Sequence, residues 1–264
     1  MSNENNLNDF FENELAREYV EFASRILKNS ASCISMECEN LMNSEVAQEN
    51  EVISDSVNRI FTRCCRIMQL PVYYEMMRSM FFSEKGQREN AKMSFLAEKF
   101  QMNVKESLGN TCKVTVSHYD MCTMSVPEDF LIFILIAFVR HTVIEGAKAI
   151  DVRFHCISEY ASDNLLQPPE RYAVILLEAS EFGAVNRELS NDFVYEHFGD
   201  MLKLFKEKYG AEYELSKEVL KLKLPVSSED EELFAHSERR NIDQSDFYTF
   251  YNVYLRELNP DAYI

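Results

Sequence analysis

The stretch PEDFLIFILIAFVRHTVIEGAKAIDVRFHC, residues 127–156, holds a helix, a stop and a strand in succession. Pro127 has the fixed φ suited to a helix's first turn. The following run Phe130 to Val139 is apolar on every side for ten residues, about half the ~20 that a membrane-spanning helix needs, and so predicts a helix buried in protein. Gly146 supplies a C-terminal stop near Glu145. Beyond it Ile150, Val152, Phe154 and Cys156 alternate with Asp151, Arg153 and His155, which predicts a strand with one face buried.

Working outward, residues 92–108 read as an amphipathic helix stopped by Gly109-Asn110, and residues 112–118 alternate as a strand. Tyr172 to Ala179 is apolar enough for an interior strand, and a helix over about 192–209 ends at Gly210. Strands at 211–215 and 218–225 close the set, the second alternating Leu220, Leu222 and Leu224 with Lys221 and Lys223. The order α-β-α-β-β-α-β-β predicts an α/β sandwich in which helices cover a mixed sheet, over residues 91–226.

The first 84 residues have a different period. Ile53, Val57, Ile60, Cys64, Ile67 and Pro71 follow alternating steps of four and three, a 3.5-residue seam. Leu15, Tyr19, Phe22 and Ile26 do the same, and Cys33 with Met36 resume the pattern. Two long helices are predicted within residues 8–82, with a break near Asn43 and Ser44, where a short side-chain acceptor can cap the second. Pro71 should kink that helix or end a stretch. A lone two-helix hairpin cannot surround its own seam, so either a second copy completes a four-helix bundle or the hairpin packs on its own second domain; the seam's length favours the homodimer, with Ile53, Val57, Ile60, Cys64 and Ile67 as its dimer contacts.

After Pro225 comes an acidic linker, Ser227-Ser228-Glu229-Asp230-Glu231-Glu232, and then Phe247, Phe250, Tyr251, Tyr254 and Leu258 on one helical face. Within residues 227–264, this aromatic segment is either a terminal helix docked on the protein's own surface or a peptide that folds on a partner.

Twenty-seven basic against 44 acidic side chains leave a net charge of −17, a field that repels phosphate backbones and anionic lipids, so neither nucleic acid nor membrane is an expected partner. Met1 to Phe11 has no basic start and no apolar stretch, and does not read as a secretory signal. Seven cysteines, odd in number and set among apolar neighbours, fit reduced thiols in a cytoplasm. His118 with Cys122, and His155 beside Cys156, lack the CxxC pair and fourth ligand of a zinc site, so no metal is expected. No Ser-His-Asp, HExxH or GxSxG pattern is present.

A helical hairpin feeding this α/β order resembles the dimerisation and ATPase-like halves of sensor histidine kinases, and resembles more closely the ChpT-type histidine phosphotransferases. FASRILKNSASCISMECENLM (Phe22 to Met42) is similar to the segment around the phosphorylatable histidine, and VYYEMMRSMFFSEKG (Val72 to Gly86) to the aromatic-rich end of the phosphotransferase hairpin. LIFILIAFVRHTVIEGAKAIDVRF (Leu131 to Phe154) is similar to the N-box helix, turn and strand, and KYGAEYELSKEVLKLKLP (Lys208 to Pro225) to the closing strands. The likeness spans about residues 15–226 and rests on pattern and order more than on identical residues.

The departures carry functional meaning. The resemblance puts the phosphoacceptor position on Arg25 or Lys28, neither of which has an imidazole nitrogen to attack a phosphoryl group. All five histidines, at 118, 141, 155, 197 and 236, lie outside the hairpin. The N-box asparagines that hold Mg²⁺ and nucleotide correspond to Ala137 and His141, one without a ligand atom and the other a poor ligand for a hard cation. The D-x-G-x-G signature corresponds to Glu181-Phe182-Gly183-Ala184-Val185, with a longer acid and a β-branched side chain in place of a glycine. Independently of any family, the six glycines are scattered, none within four residues of another, and offer no phosphate cradle. Asp192 and Asp200 flank the only position for a lid and would oppose a triphosphate.

The resemblance therefore implies a cytoplasmic, bacterial-type pseudokinase of two-component phosphorelays, without cofactor and without catalysis. It would dimerise and dock a response-regulator receiver or a partner kinase through Arg25, Lys28, Asn29 and Ser32, beside a degenerate nucleotide pocket of Ala137, His141, Glu181, Gly183 and Val185. The alternatives are a phosphotransferase using an unorthodox acceptor such as His141, and a module that binds a small apolar ligand in the decayed pocket. His197, with Tyr195 and Glu196, is expected on a solvated helix face.

Overall fold

The structure, a computed structural model, describes residues 14–45, 49–82, 91–118, 122–160, 169–186, 189, 193–226 and 250–259. The chain divides into two compact units, residues 1–82 with 247–264, and residues 83–246. The acidic linker at 227–232, Phe247 and Asp192 lie outside the described residues.

In the first unit, helix α1 (Glu14–Met42) runs antiparallel to helix α2 (Glu51–Phe82). The ion pairs of Lys28 with Glu75 (2.8 Å) and of Arg78 with Glu21 (3.4 Å) set their register, as does the Tyr74 hydroxyl, which donates to the Arg17 carbonyl at 3.2 Å. The cap of α2 is Asn50 rather than Asn43 or Ser44: its Oδ1 accepts from the Val52 and Ile53 N–H groups, while the Ser44 hydroxyl turns back to the Leu41 carbonyl. Pro71 does not end the helix. It forfeits one backbone hydrogen bond, but Val72, Tyr73, Tyr74, Met77 and Met80 beyond it are all buried, and their burial holds the chain helical to Phe82.

The five-residue seam on α2 is not a single surface. Val57 and Cys64 are 4% and 2% exposed, inside the unit, whereas Ile60 and Ile67 are each 44% exposed. At about 100° per residue the five positions cover an arc of about 80°. The interior arc, marked by Phe61, Cys65, Met68 and Val72, lies to one side of it, so the boundary between core and surface splits the seam. Helix α1 is the more pronounced case. Its inward residues are the small Ser24, Ala31, Ser35 and Cys38, and its larger apolar side chains Tyr19, Phe22, Ile26 and Met36 are exposed, Tyr19 to 73%. Cys38, Val57, Phe61 and Cys65 form one core cluster with Met42 and Ile53 against it. Burial pushes the Cys65 thiol up to about 12, so it serves as an unreactive small hydrophobe.

The aromatic tail completes this core. Helix α7 (Phe250–Leu255) and a 3₁₀ turn (Arg256–Leu258) lie on α2. The Tyr254 hydroxyl donates to the Gln69 carbonyl at 2.7 Å, the Gln69 amide donates to the Val253 carbonyl (3.0 Å) and to Glu257 (2.7 Å), and the Arg256 guanidinium sits 4.6 Å from the Phe61 ring centre. The segment is docked in cis.

The second unit contains β1 (Ala91–Lys92), α3 (Met93–Leu108), β2 (Lys113–His118), β3 (Thr123–Met124), α4 (Glu128–Ile144), β4 (Ala149–Glu159), β5 (Glu170–Ser180), α5 (Phe193–Glu196), α6 (Phe198–Tyr209), β6 (Glu212–Leu215) and β7 (Val219–Pro225). Five strands form one mixed sheet in the order β2-β4-β5-β7-β6; β2 and β4 are parallel, joined across α4, and the remaining pairs are antiparallel. Strands β1 and β3 form a separate antiparallel pair. Ile150, Val152 and Phe154 of β4, Ala173, Ile175 and Leu177 of β5, and Leu220, Leu222 and Leu224 of β7 are buried on one face, as their alternation predicts. The other face carries charge: Arg153 pairs with Glu178, and Lys223 with Glu159 at 2.6 Å, the Lys223 ammonium standing over the Tyr172 ring. The expected α+β architecture, hairpin followed by a helix-covered mixed sheet, is present. No helix among the described residues is long and apolar enough to cross a membrane.

Candidate functional site

In the second unit the 183–186 segment lies at the C-terminal end of α4, whose last turn holds His141, while Ala137 stands about two turns before that end. The segment after β5 is fastened there by two backbone hydrogen bonds, from the Gly183 N–H to the Gly146 carbonyl and from the Asn186 N–H to the Ile144 carbonyl, both 2.8 Å. Gly146 has φ 98°, and a Cβ on it would lie 2.8 Å from the Gly183 carbonyl oxygen, so this close approach requires glycine. Glu181 turns the chain with φ 57°, in the left-handed region that non-glycine residues seldom adopt.

Ala137 is buried in the core and contributes no polar group, while Glu181, Gly183 and Val185 are exposed. Phe182 is exposed too and does not fill the site. The aromatic group at His141 is Tyr195, whose ring stacks on the imidazole with centroids 3.3 Å apart and planes 2° from parallel; Phe198 stacks in turn on Tyr195 at 5.4 Å. Tyr195 is thus half-buried against His141, while Glu196 and His197 are exposed, as expected of a solvated helix face. Burial lowers the His141 pKa from 6.5 to about 4, Glu145 opposing and Lys217 reinforcing the shift, so the imidazole is neutral at pH 7. Glu145 is itself paired with Lys217 at 2.9 Å. Among the described residues, no three His, Cys, Asp or Glu side chains come together as metal ligands.

In the first unit, Arg25, Lys28, Asn29 and Ser32 share one side of α1, at intervals of three and four. Arg25, Asn29 and Ser32 are exposed; the Arg25 guanidinium lies 5.7 Å from the Phe22 ring centre. The Lys28 ammonium donates to both oxygens of Glu75, at 2.8 and 2.9 Å. Charge at this position is therefore held between the two helices.

Tyr195, Glu145 and Lys217 were not identified from sequence. The aromatic cluster Phe193, Tyr195 and Phe198 was the available signal, but its target, a histidine more than fifty positions earlier, has no local signature.

The chain matches no protein-family model and no curated protein. Among solved structures it is similar to the ATP-binding domain of PrrB from Mycobacterium tuberculosis, with 14% identity and a TM-score of 0.38 over 54% of this chain and 99% of that one. It is also similar to the mycobacterial sensor histidine kinase MprB, with 11% identity and a TM-score of 0.35 over 53% of this chain and 97% of that one. The catalytic domain of the histidine kinase ThkA is a third, with 8% identity and a TM-score of 0.35 over 53% and 95% of the two chains.

Proposed function

We propose that this chain is a non-catalytic, histidine phosphotransferase-like or kinase-like signalling protein that forms homodimers through its hairpin and docks a receiver domain or a partner kinase. The observation that carries the reading is the exposed apolar surface of the hairpin. Tyr19, Phe22, Ile26 and Met36 on α1 and Ile60 and Ile67 on α2 are exposed to water, and covering each recovers part of the about 1.5–3 kcal/mol that full burial of a large apolar side chain supplies. A second hairpin covers such a surface and makes a four-helix bundle. The absence of histidine from the hairpin, with Arg25 or Lys28 at the acceptor position, supports a docking role over phosphoryl transfer. Buried Ala137, the Tyr195 ring on His141 and the scattered glycines support a site without nucleotide chemistry. The free thiols of all seven cysteines are consistent with a cytoplasmic setting.

Light scattering tests the assembly. The wild type should run at twice 30.9 kDa. The Ile60→Asp/Ile67→Asp variant should run as a folded monomer, because both side chains are already outside the core, whereas Val57→Asp should unfold the hairpin. A wild-type mass of one chain at micromolar concentration rejects the dimer. Association with a panel of receiver domains tests docking: binding weakened by Arg25→Glu supports it, and no binding to any receiver sinks it.

A further inference from the structure

Each helix of the hairpin carries an exposed apolar row beside its contact with the other. On α1 the row is Leu27, Ile34 and Leu41, at intervals of seven, each one position before Lys28, Ser35 or Met42, whose side chains meet α2. On α2 it is Ile60 and Ile67, one position before the buried Phe61 and Met68. In an antiparallel pair of right-handed helices equal angular offsets fall on the same side, so the two rows border one groove. The C-terminal segment docks on the far side of α2, against Gln69, and leaves this groove open. Lys28 stands level with Glu75 and Glu21 with Arg78. The same register, carried along both helices, sets Leu41 level with Ile60, Ile34 with Ile67 and Glu37 with Arg63. Glu37 and Arg63 each follow a groove isoleucine by three positions, Ile34 and Ile60, and so stand on its two outer rims. Both are exposed, and among the described residues neither is in an ion pair.

We infer that the second copy of the homodimer closes this groove about a two-fold axis parallel to the helices, with Glu37 of each copy paired to Arg63 of the other. The arrangement rests on the dimer proposed above and gives it a geometry. A parallel axis preserves every level, lays α1 of one copy along α2 of the next, and brings Glu37 against Arg63 at both rims. An axis across the helices instead lays α1 on α1 and α2 on α2. Arg63 then meets only the α2 rim, where Ser56, Arg63 and Leu70 offer no carboxylate, and Glu37 meets only Ala23, Ser30 and Glu37. Opposite charges therefore select the parallel axis, as paired rim charges set orientation in helical bundles generally. Of the apolar surface named above, this contact takes Ile60 and Ile67. Tyr19, Phe22, Ile26 and Met36 lie on the far side of α1 with Arg25 and Asn29, the side read as facing a receiver or kinase.

Native mass spectrometry of the full chain tests the pairing. Glu37→Arg and Arg63→Glu should each weaken self-association on the order of tenfold or more, because each sets like charges together at both rims. Mixed in equal amounts, the two variants should form the heterodimer in preference to either homodimer, since both rims then join opposite charges. Raising the ionic strength should reduce that preference. Glu39→Arg mixed with Arg66→Glu makes the same changes of charge on exposed positions away from the groove, and should assort at random. Ile34→Asp should lose the dimer mass. All these side chains are exposed, so circular dichroism of each variant should match wild type. With a dimeric wild type, a heterodimer preference no greater than that of the control pair overturns the arrangement and leaves the dimer standing, as does an Ile34→Asp chain that stays dimeric. A wild type of single-chain mass overturns both.

Discussion

Replacing Tyr254 with alanine should detach the C-terminal segment and destabilise the hairpin unit more than any other single change in that segment. Helix α7 has six residues, far fewer than the ~12–15 at which an isolated helix becomes even marginally stable, so it is helical because it is docked. Its anchor is Tyr254, fully buried with Val253 and Leu255 beside it, and its hydroxyl reaches the Gln69 carbonyl at 2.7 Å. Deleting a buried aromatic side chain costs about 3–5 kcal/mol; Tyr254→Phe, which removes only the hydroxyl, should cost about 0.5–1.5 kcal/mol. At roughly 4–8 °C per kcal/mol for a unit of this size, Tyr254→Ala should lower the melting transition of the hairpin unit by about 12–40 °C. The transition of the sheet unit should not move, so differential scanning calorimetry separates the two. A chain truncated after residue 246 should melt like the alanine variant. If Tyr254→Ala and the truncation both stay within about 2 °C of wild type, the cis-docked segment contributes nothing to this core and the reasoning fails.

Three further outcomes concern the sheet unit. The folded pKa of His141 is lowered from 6.5 to about 4, so between those values the unfolded chain binds a proton that the folded chain does not. Stability should therefore fall as pH drops from about 6.5 to 4, and His141→Phe, which keeps a ring against Tyr195, should flatten that slope in urea denaturation measured across this window. Gly146→Ala places a methyl group 2.8 Å from the Gly183 carbonyl oxygen at a φ of 98° and should cost at least ~2 kcal/mol, with faster proteolysis of the 181–186 segment. Gly199→Ala meets nothing within 4 Å in α6 and should stabilise by about 0.5–1 kcal/mol; equal melting temperatures for the two alanine variants would contradict the geometry.

The element order was legible because the signals are local. The α4 run stops at Gly146, and β4 and β7 alternate with period two; a few neighbouring residues suffice to show this. That no histidine stands in the hairpin and that alanine occupies position 137 was legible as well, since both depend on residue identity alone. Which arc of each helix faces inward was decided only by the tertiary structure. The 3.5-residue seams mark the larger apolar side chains, but α1 approaches α2 through Ser24, Ala31 and Ser35 and leaves Tyr19 and Phe22 outside. A helix's burial arc is set by the elements packed on it, and for α2 one of these, α7, begins 168 positions after Phe82, at Phe250. The same holds for Tyr195 on His141 and for the strand order β2-β4-β5-β7-β6. Periodicity along the chain records that a face is apolar; contacts between distant segments determine what covers it.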